Sequence, residues 1–260
     1  MSTRFDNARI LVTNDDGILA EGLAVLESIA RTLSDDVWVV APEIEQSGAG
    51  HSLTMHEPIR QRKIDEKRYA VSGTPTDCVL MAVMEISRDK PFDLVLSGIN
   101  RGANVAEDVT YSGTIAAAME ATLLEIPAIA FSSYIEADKP VEWAAVAERG
   151  PAIVRELGRH NWPTGTLINV NFPGLPSAAI KGTRLCPHGR RRITEKLERR
   201  VDPRGRPYFW VAGPGVIPFN DHPEADYNQL AEGYITITPL TMDLTHHLFM
   251  SELAQAWEHA

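Results

Sequence analysis

A doubly wound α/β fold is what this sequence of 260 residues predicts, with a mostly parallel, Rossmann-like sheet and a C-terminal arm or hairpin. Three observations carry that expectation. Short apolar runs of the kind buried on both faces of a parallel sheet recur at 9–13, 37–41, 92–97 and 127–131. Stretches with helical spacing separate them. The first and third runs end directly in polar stretches that contain glycine, where ligands of open α/β sheets are held.

Composition sets the outer limits. Hydrophobic residues make up 44% and charged residues 23% of the chain, enough for a sizeable core. A formal net charge of -10 excludes a broad electrostatic hold on a long nucleic acid, though not a local site for a small phosphorylated ligand. Cys78 and Cys186 form no spacing motif and read as reduced packing residues. The first nine residues lack an apolar core of the kind a leader needs, and no run approaches the ~18 residues of a membrane span. A cytoplasmic protein with no membrane partner is expected.

In chain order, the strand at 9–13 runs into Asn14-Asp15-Asp16-Gly17. Leu19, Leu23, Leu26, Ile29 and Leu33 then mark an amphipathic helix, and Val37–Ala41 a second strand ending at Pro42. The loop from Pro42 to Ser52 carries Ser47, Gly48 and Gly50. Residues 57–72 read as two strands joined by a turn at Asp65–Arg68. Thr74 can cap the next helix, with Pro75 at its first position and Asp77 in its first turn. After the strand at 92–97, a long polar stretch from Ser97 to Thr114 leads into the strong helix former Ile115–Leu124. A strand at 127–131, a helix at 141–157 and a strand at 166–172 follow. Beyond Pro173 the texture changes. Residues 177–220, with arginines dense at 184–206, read as an arm outside the sheet, before a strand at 233–239 and a helix at 244–257. The chain thus divides into a core, 1–175, and a C-terminal extension, 176–260, which leaves as the arm and returns as strand and helix.

Asp15-Asp16-Gly17 alone reads equally as a turn with Asp15 capping the following helix. Ser47 and Asn100 alter the balance, because their loops follow the second and third strands and open onto the same edge. Two adjacent carboxylates repel, and burying either is costly without a cation. Asp15, Asp16, Ser47 and Asn100 offer only oxygen, which suits one Mg²⁺ or Mn²⁺ better than zinc. Ser112-Gly113-Thr114 stands where helix-end amides would hold a phosphate.

These residues resemble the SurE family of stationary-phase survival proteins, metal-dependent nucleoside monophosphate phosphatases. The similarity rests on Asn14–Gly17, Ala41-Pro42 with Ser47-Gly48, Gly73–Asp77, Ser97–Asn100 and Tyr111–Thr114, and extends to Asn169–Pro173 and Gly233–Pro239. Ala106 departs from it, where the family pattern has glycine. The resemblance implies a divalent metal held by Asp15, Asp16, Ser47 and Asn100, and phosphate held by Gly48, Asn104, Ser112, Gly113 and Thr114. It implies 5′- and 3′-nucleotidase activity, and a homodimer or homotetramer formed through the C-terminal extension.

The expected chemistry is attack of water on phosphorus, with Asp15 favoured over Asp16 as the carboxylate that activates it. His51 is a candidate to protonate the leaving group, against a purely structural role. The arginine run reads as a solvated surface or as a guide for anions, and Tyr111, Tyr208 and Phe209 are candidates to stack on a base. Two rivals remain. A phosphatase that phosphorylates its own aspartate usually has a second Asp two residues on, which Asp15-Asp16-Gly17 lacks. A non-catalytic nucleotide-binding module would have little reason to gather four oxygen ligands.

Overall fold

A computed structural model describes residues 3–136, 139–218 and 222–257, with backbone alone at 191–196 and 212–218. Positions 219–220, the end of the expected arm, lie outside the described residues. The strands are β1 Ile10–Thr13, β2 Val37–Pro42, β3 Gln61–Asp65, β4 Arg68–Val71, β5 Leu94–Arg101, β6 Ala128–Ser133, β7 Thr166–Phe172, β8 Thr183–Leu185, β9 Arg191–Val201, β10 Pro207–Pro218 and β11 Ile235–Thr241. The α-helices are α1 Glu21–Arg31, α2 Pro75–Met81, α3 Gly113–Leu123, α4 Trp143–Leu157, α5 Asp226–Ala231 and α6 His247–Trp257.

Among the described residues, nine strands form one sheet in the order β3-β4-β2-β1-β5-β6-β7-β11-β8. From β4 to β7 every pairing is parallel. β3 is antiparallel to β4, and β11 to β7. The chain builds outward from β1 through β2 to β4, then returns to lay β5 on the other side of β1. Strand order therefore reverses between β1 and β5, where ligand crevices form in this architecture.

β1 is buried on both faces, so alternate side chains feed two cores. Ile10 and Val12 pack with Leu23, Leu26 and Ile29 of α1 and with Val146 and Ile153 of α4. Leu11 packs on the other side with Cys78 and Val79 of α2 and with Ala117, Ala118 and Ala121 of α3. The run Ala116–Ala118 keeps α3 slim enough to lie buried against the sheet. Thr74 caps α2 as expected: its hydroxyl accepts from the Asp77 N–H, and the Asp77 carboxylate accepts from the Thr74 N–H.

The structure differs from the sequence expectation in several places. β5 continues past Ser97 to Arg101, with a register shift between Ser97 and Asn100, so Asn100 sits at a strand end rather than in a loop. β8, inside the segment read as lying wholly outside the sheet, pairs with β11 at the sheet edge. Three residues are too few to show a period in sequence. α4 continues through Pro151 and starts at Trp143, two residues later than expected. β9 and β10 form a separate antiparallel hairpin, as the arm reading requires.

α1 approaches the ligand edge closely. A Cβ on Gly22 would stand 2.1 Å from the Ile99 carbonyl oxygen of β5, a distance only glycine avoids. We expect Gly22→Ala to lower stability by about 1–3 kcal/mol, read as a lower urea midpoint at unchanged slope. A midpoint equal to the parent's would mean that α1 can back away.

Candidate active site

Asp15 is the second residue after β1, and it does not cap the next helix: the N-cap of α1 is Ala20, without a side-chain bond. Its carboxylate instead sits at the start of α3, ninety-nine residues on, where Thr114 Oγ1 donates to Asp15 Oδ1 at 2.5 Å. The Thr114 backbone amide also favours the ionised carboxylate. The helix end read as a phosphate cradle is therefore occupied first by a side chain of the protein. Gly113 makes this possible, since a Cβ there would lie 2.7 Å from Asp15 Cβ.

The turn around Asp15 is held by local bonds. Asn14 Oδ1 accepts from the Gly17 N–H at 3.2 Å, and Asn14 Nδ2 donates to the Gly17 carbonyl at 3.1 Å. The Gln46 N–H donates to the Asp15 carbonyl at 2.8 Å, tying down the loop that carries Ser47. The Gly50 N–H donates to the Tyr111 carbonyl at 3.2 Å, joining that loop to the start of α3. Asp16 Oδ2 accepts from the Arg101 N–H at 3.3 Å, one residue past Asn100. Asp15, Asp16, Ser47, Asn100 and Ser112–Thr114 are thus brought to one edge by bonds among their own loops.

Electrostatics mark this edge. Asp15 is 3% exposed. Burial, and then the neighbouring Asp16 charge, push its carboxyl up to about 6 against the two contacts from Thr114. Burial also raises Asp16, with Glu45 adding to the rise and Arg101 opposing it. Such a pair favours a bound cation. The donor set fits one. Asn100 Nδ2 donates to the Gly102 carbonyl at 2.9 Å, leaving Oδ1 as an acceptor, and Ser47 Oγ donates to Glu45 Oε1 at 2.8 Å, leaving its lone pairs. Among the described residues no three of His, Cys, Asp and Glu form a metal cluster, so the set would be two carboxylates and two neutral oxygens.

The remaining phosphate candidates divide. Ser112 Oγ accepts from the Ile115 N–H at 3.1 Å and keeps its own O–H to donate. Gly48 has φ +77 and open space around it. Asn104 is buried: its N–H donates to Asn171 Oδ1 at 2.8 Å, and its carbonyl accepts from Asn169 Nδ2 at 2.7 Å and Asn171 Nδ2 at 3.1 Å. Its Nδ2 donates to Ser132 Oγ at 2.8 Å, leaving one N–H. His51 Nε2 pairs with Glu120 Oε2 of α3 at 2.9 Å, a tie between loop and helix. Tyr111 and Phe209 are each more than half exposed.

Sequence reasoning passed over the partners that fix these groups. Asn169 and Asn171 stand two apart on an otherwise apolar buried strand, a signal that polar work is done there. Arg101 adjoins Asn100 and Glu45 lies two residues before Ser47, and neither carried a signal of its own. Ala106 has φ +49, the left-handed region, which explains glycine in the family pattern. It is held there by Asp226 Oδ2, which accepts from the Ala106 N–H at 3.1 Å, and by His188 Nε2, 2.8 Å from its carbonyl. The same buried Asp226 accepts at Oδ1 from the Gly189 N–H at the root of the arm, 3.0 Å, and from the Tyr227 N–H in α5, 2.7 Å.

A family model described as survival protein SurE matches residues 10–195. A protein of Paramagnetospirillum magneticum named 5'-nucleotidase SurE is 52% identical over 249 residues, covering 96% of this chain and 95% of that one. One of the same name from Brucella anthropi is 50% identical over 252 residues, covering 95% and 96%. Among solved structures, the crystal structure of SurE protein from Aquifex aeolicus superposes with a TM-score of 0.82 at 39% identity, covering 95% of this chain and 98% of that one.

The raised Asp15 carboxyl sets a stability test. A folded value of about 6 against an ordinary 3.8 means that the folded state holds this proton the more tightly. Its contribution is present below about pH 4 and is lost as pH rises towards 6. In chelator, Asp15→Asn should therefore match the parent near pH 4 and exceed it by up to about 3 kcal/mol near pH 8. Chemical denaturation at both values checks this; a difference independent of pH would show that Asp15 ionises as freely when folded as when unfolded.

Proposed function

This chain belongs to the SurE family, and from that premise we propose that it is a divalent-metal-dependent nucleotidase that hydrolyses 5′- and 3′-nucleoside monophosphates to nucleoside and phosphate. The observation that carries this reading is the geometry of one edge: Asp15 lies buried beside Asp16 and bonded to the start of α3, while backbone bonds from Gln46 and Arg101 bring the neighbours of Ser47 and Asn100 to the same two residues.

Asp15, Asp16, Ser47 and Asn100 would hold one Mg²⁺ or Mn²⁺. Bound there, such an ion supplies charge neutralisation at the phosphoryl oxygens and lowers the pKa of an adjacent water. The chain's own groups do the rest. The O–H of Ser112, the N–H of Gly113 at the first position of α3 and the second N–H of the Asn104 amide would grip phosphate oxygens at the positive end of α3. Gly48 and Thr114 complete that cradle in our reading, with Thr114 acting through its hold on Asp15. Asp15, or Asp16 beside it, accepts the proton of the attacking water. Water adds to phosphorus in line with the ester oxygen, the bond from phosphorus to that oxygen breaks, and the oxygen takes up a proton, returned by the carboxyl or from solvent, as the nucleoside leaves.

We read 1–175 as the catalytic core and 176–260 as an extension through which copies of the chain assemble into a homodimer or homotetramer. Supporting this, Phe209 and Trp210 on the hairpin are exposed, and α6 has no buried residue although it carries Leu248, Phe249, Leu253 and Trp257. No helix among the described residues is long and apolar enough to cross a membrane, and both cysteines are free. A cytoplasmic location and a partnership limited to nucleotides fit these facts and the net charge of -10.

With Mg²⁺ or Mn²⁺, the protein should release phosphate from nucleoside monophosphates, and chelator should abolish this reversibly. Asp16→Asn should cut kcat/KM by about 10²-fold or more, at an unchanged circular dichroism spectrum. No release with any divalent ion would favour a nucleotide binder without turnover, and full activity of the variant at saturating metal would remove Asp16 from the ligand set.

A further inference from the structure

Asp16 and Ser47 form part of the wall of an open cavity of about 600 Å³, within the range of small-molecule sites. Arg101 adds a cation to that wall, and Pro140 and Trp143 add apolar surface. The Trp143 ring is fixed from two sides. Its Nε1–H donates to Glu21 Oε2 at 3.0 Å, and its Cη2 would stand 3.1 Å from a Cβ on Gly22, so the helix start leaves room for the indole only because residue 22 has no side chain. Glu21 also lines the cavity, and its second oxygen, Oε1, stays an acceptor.

Taking the nucleotidase reading as given, the geometry points to this cavity as the seat of the nucleobase, stacked on Trp143, with Glu21 Oε1 accepting an N–H from the base edge. An ester whose phosphate lies against Asp16, Ser47 and the start of α3 must place its nucleoside in a neighbouring space, and this cavity shares two of those residues. A second hollow of about 540 Å³, lined by Gly102, Pro173 and Tyr227, shares none of Asp15, Asp16, Ser47 or Asn100. A flat aromatic ring accepts any base, and a carboxylate acceptor rewards bases that present N–H. The two together make Trp143 and Glu21 residues that set substrate preference, separate from the hydrolytic groups.

The test compares kcat/KM for adenosine 5′-monophosphate with that for ribose 5-phosphate, which has the same ester and sugar without the base. Trp143→Ala should lower the ratio of the two about tenfold, mainly through KM for the nucleotide. Trp143→Phe, which keeps a stacking face, should retain most of the ratio, and Glu21→Gln should lower it several-fold. A ratio within twofold of the parent in both Trp143→Ala and Glu21→Gln would overturn the assignment while leaving the nucleotidase reading intact. Equilibrium dialysis of adenosine without metal reads the cavity apart from turnover. Binding by the parent that weakens about tenfold in Trp143→Ala, and much less in Trp143→Phe, supports the assignment. Failure of the parent to bind adenosine, or equal binding by all three, overturns it. An enzyme that splits neither ester but binds adenosine through Trp143 would fail the nucleotidase reading alone.

Discussion

Everything at the ligand edge depends on one buried contact, the hydrogen bond from Thr114 to Asp15 with Gly113 pressed against the carboxylate. A carboxylate this far from water needs compensation, and a helix start provides amide dipoles, a hydroxyl and a favourable end of the macrodipole. These do not fully offset burial and the adjacent Asp16, so the group stays poised for a cation. Two requirements that seem opposed, a stable fold and a reactive site, meet here in one side chain. The contact that docks α3 onto β1 also leaves a negative pair short of positive charge.

The sheet makes that contact possible. Reversal of strand order between β1 and β5 opens a crevice, and residues just after β1 and at the end of β5 are its first occupants. Asp15 and Asp16 come from one side and Asn100 from the other, while the loop after β2 arrives by a backbone bond from Gln46 to Asp15. Asn104 is seated differently. It hangs from β6 and β7 by side-chain amides of Asn169 and Asn171 and the hydroxyl of Ser132. The cation side of the crevice is thus held by one local turn, Asn14–Gly17, and by bonds between loops, and the phosphate side by a polar network inside the sheet. A network of this kind fixes one geometry, because each broken bond would strand a buried amide.

Much of this was legible in sequence, because the parallel strands are buried on both faces and so appear as unbroken apolar runs. β1, β2, the first part of β5 and β6 could be placed by that signal alone, and α2 by Thr74, Pro75 and Asp77 at its start. The candidate site was legible as far as its chemistry is local: adjacent carboxylates after a strand, glycines beside Ser47, a small polar turn before a helix. Legibility stopped where a residue acts through a distant partner. Nothing near Asp15 announces that α3, rather than α1, receives its carboxylate. The extension of β5 through Asn100 is hidden by a register shift, and β8 is too short to carry a pattern. Trp143 reads as an ordinary apolar residue of an amphipathic helix until Glu21 and Gly22 are seen beside it.

Asp226 gives the arm a bearing on the crevice that its position at the periphery would not suggest. Its two carboxylate oxygens bind backbone amides from Ala106, from Gly189 at the arm's base and from Tyr227 in α5. Segments up to 120 residues from Asp226 therefore hang on one side chain with no exposure to solvent. Opening any one of them disturbs hydrogen bonds that the others share, so they make up a single cooperative unit rather than three local ones. The backbone beside Asn104 is no looser than the base of the hairpin. Grafting or shortening the arm would for that reason be an operation on the pocket as well.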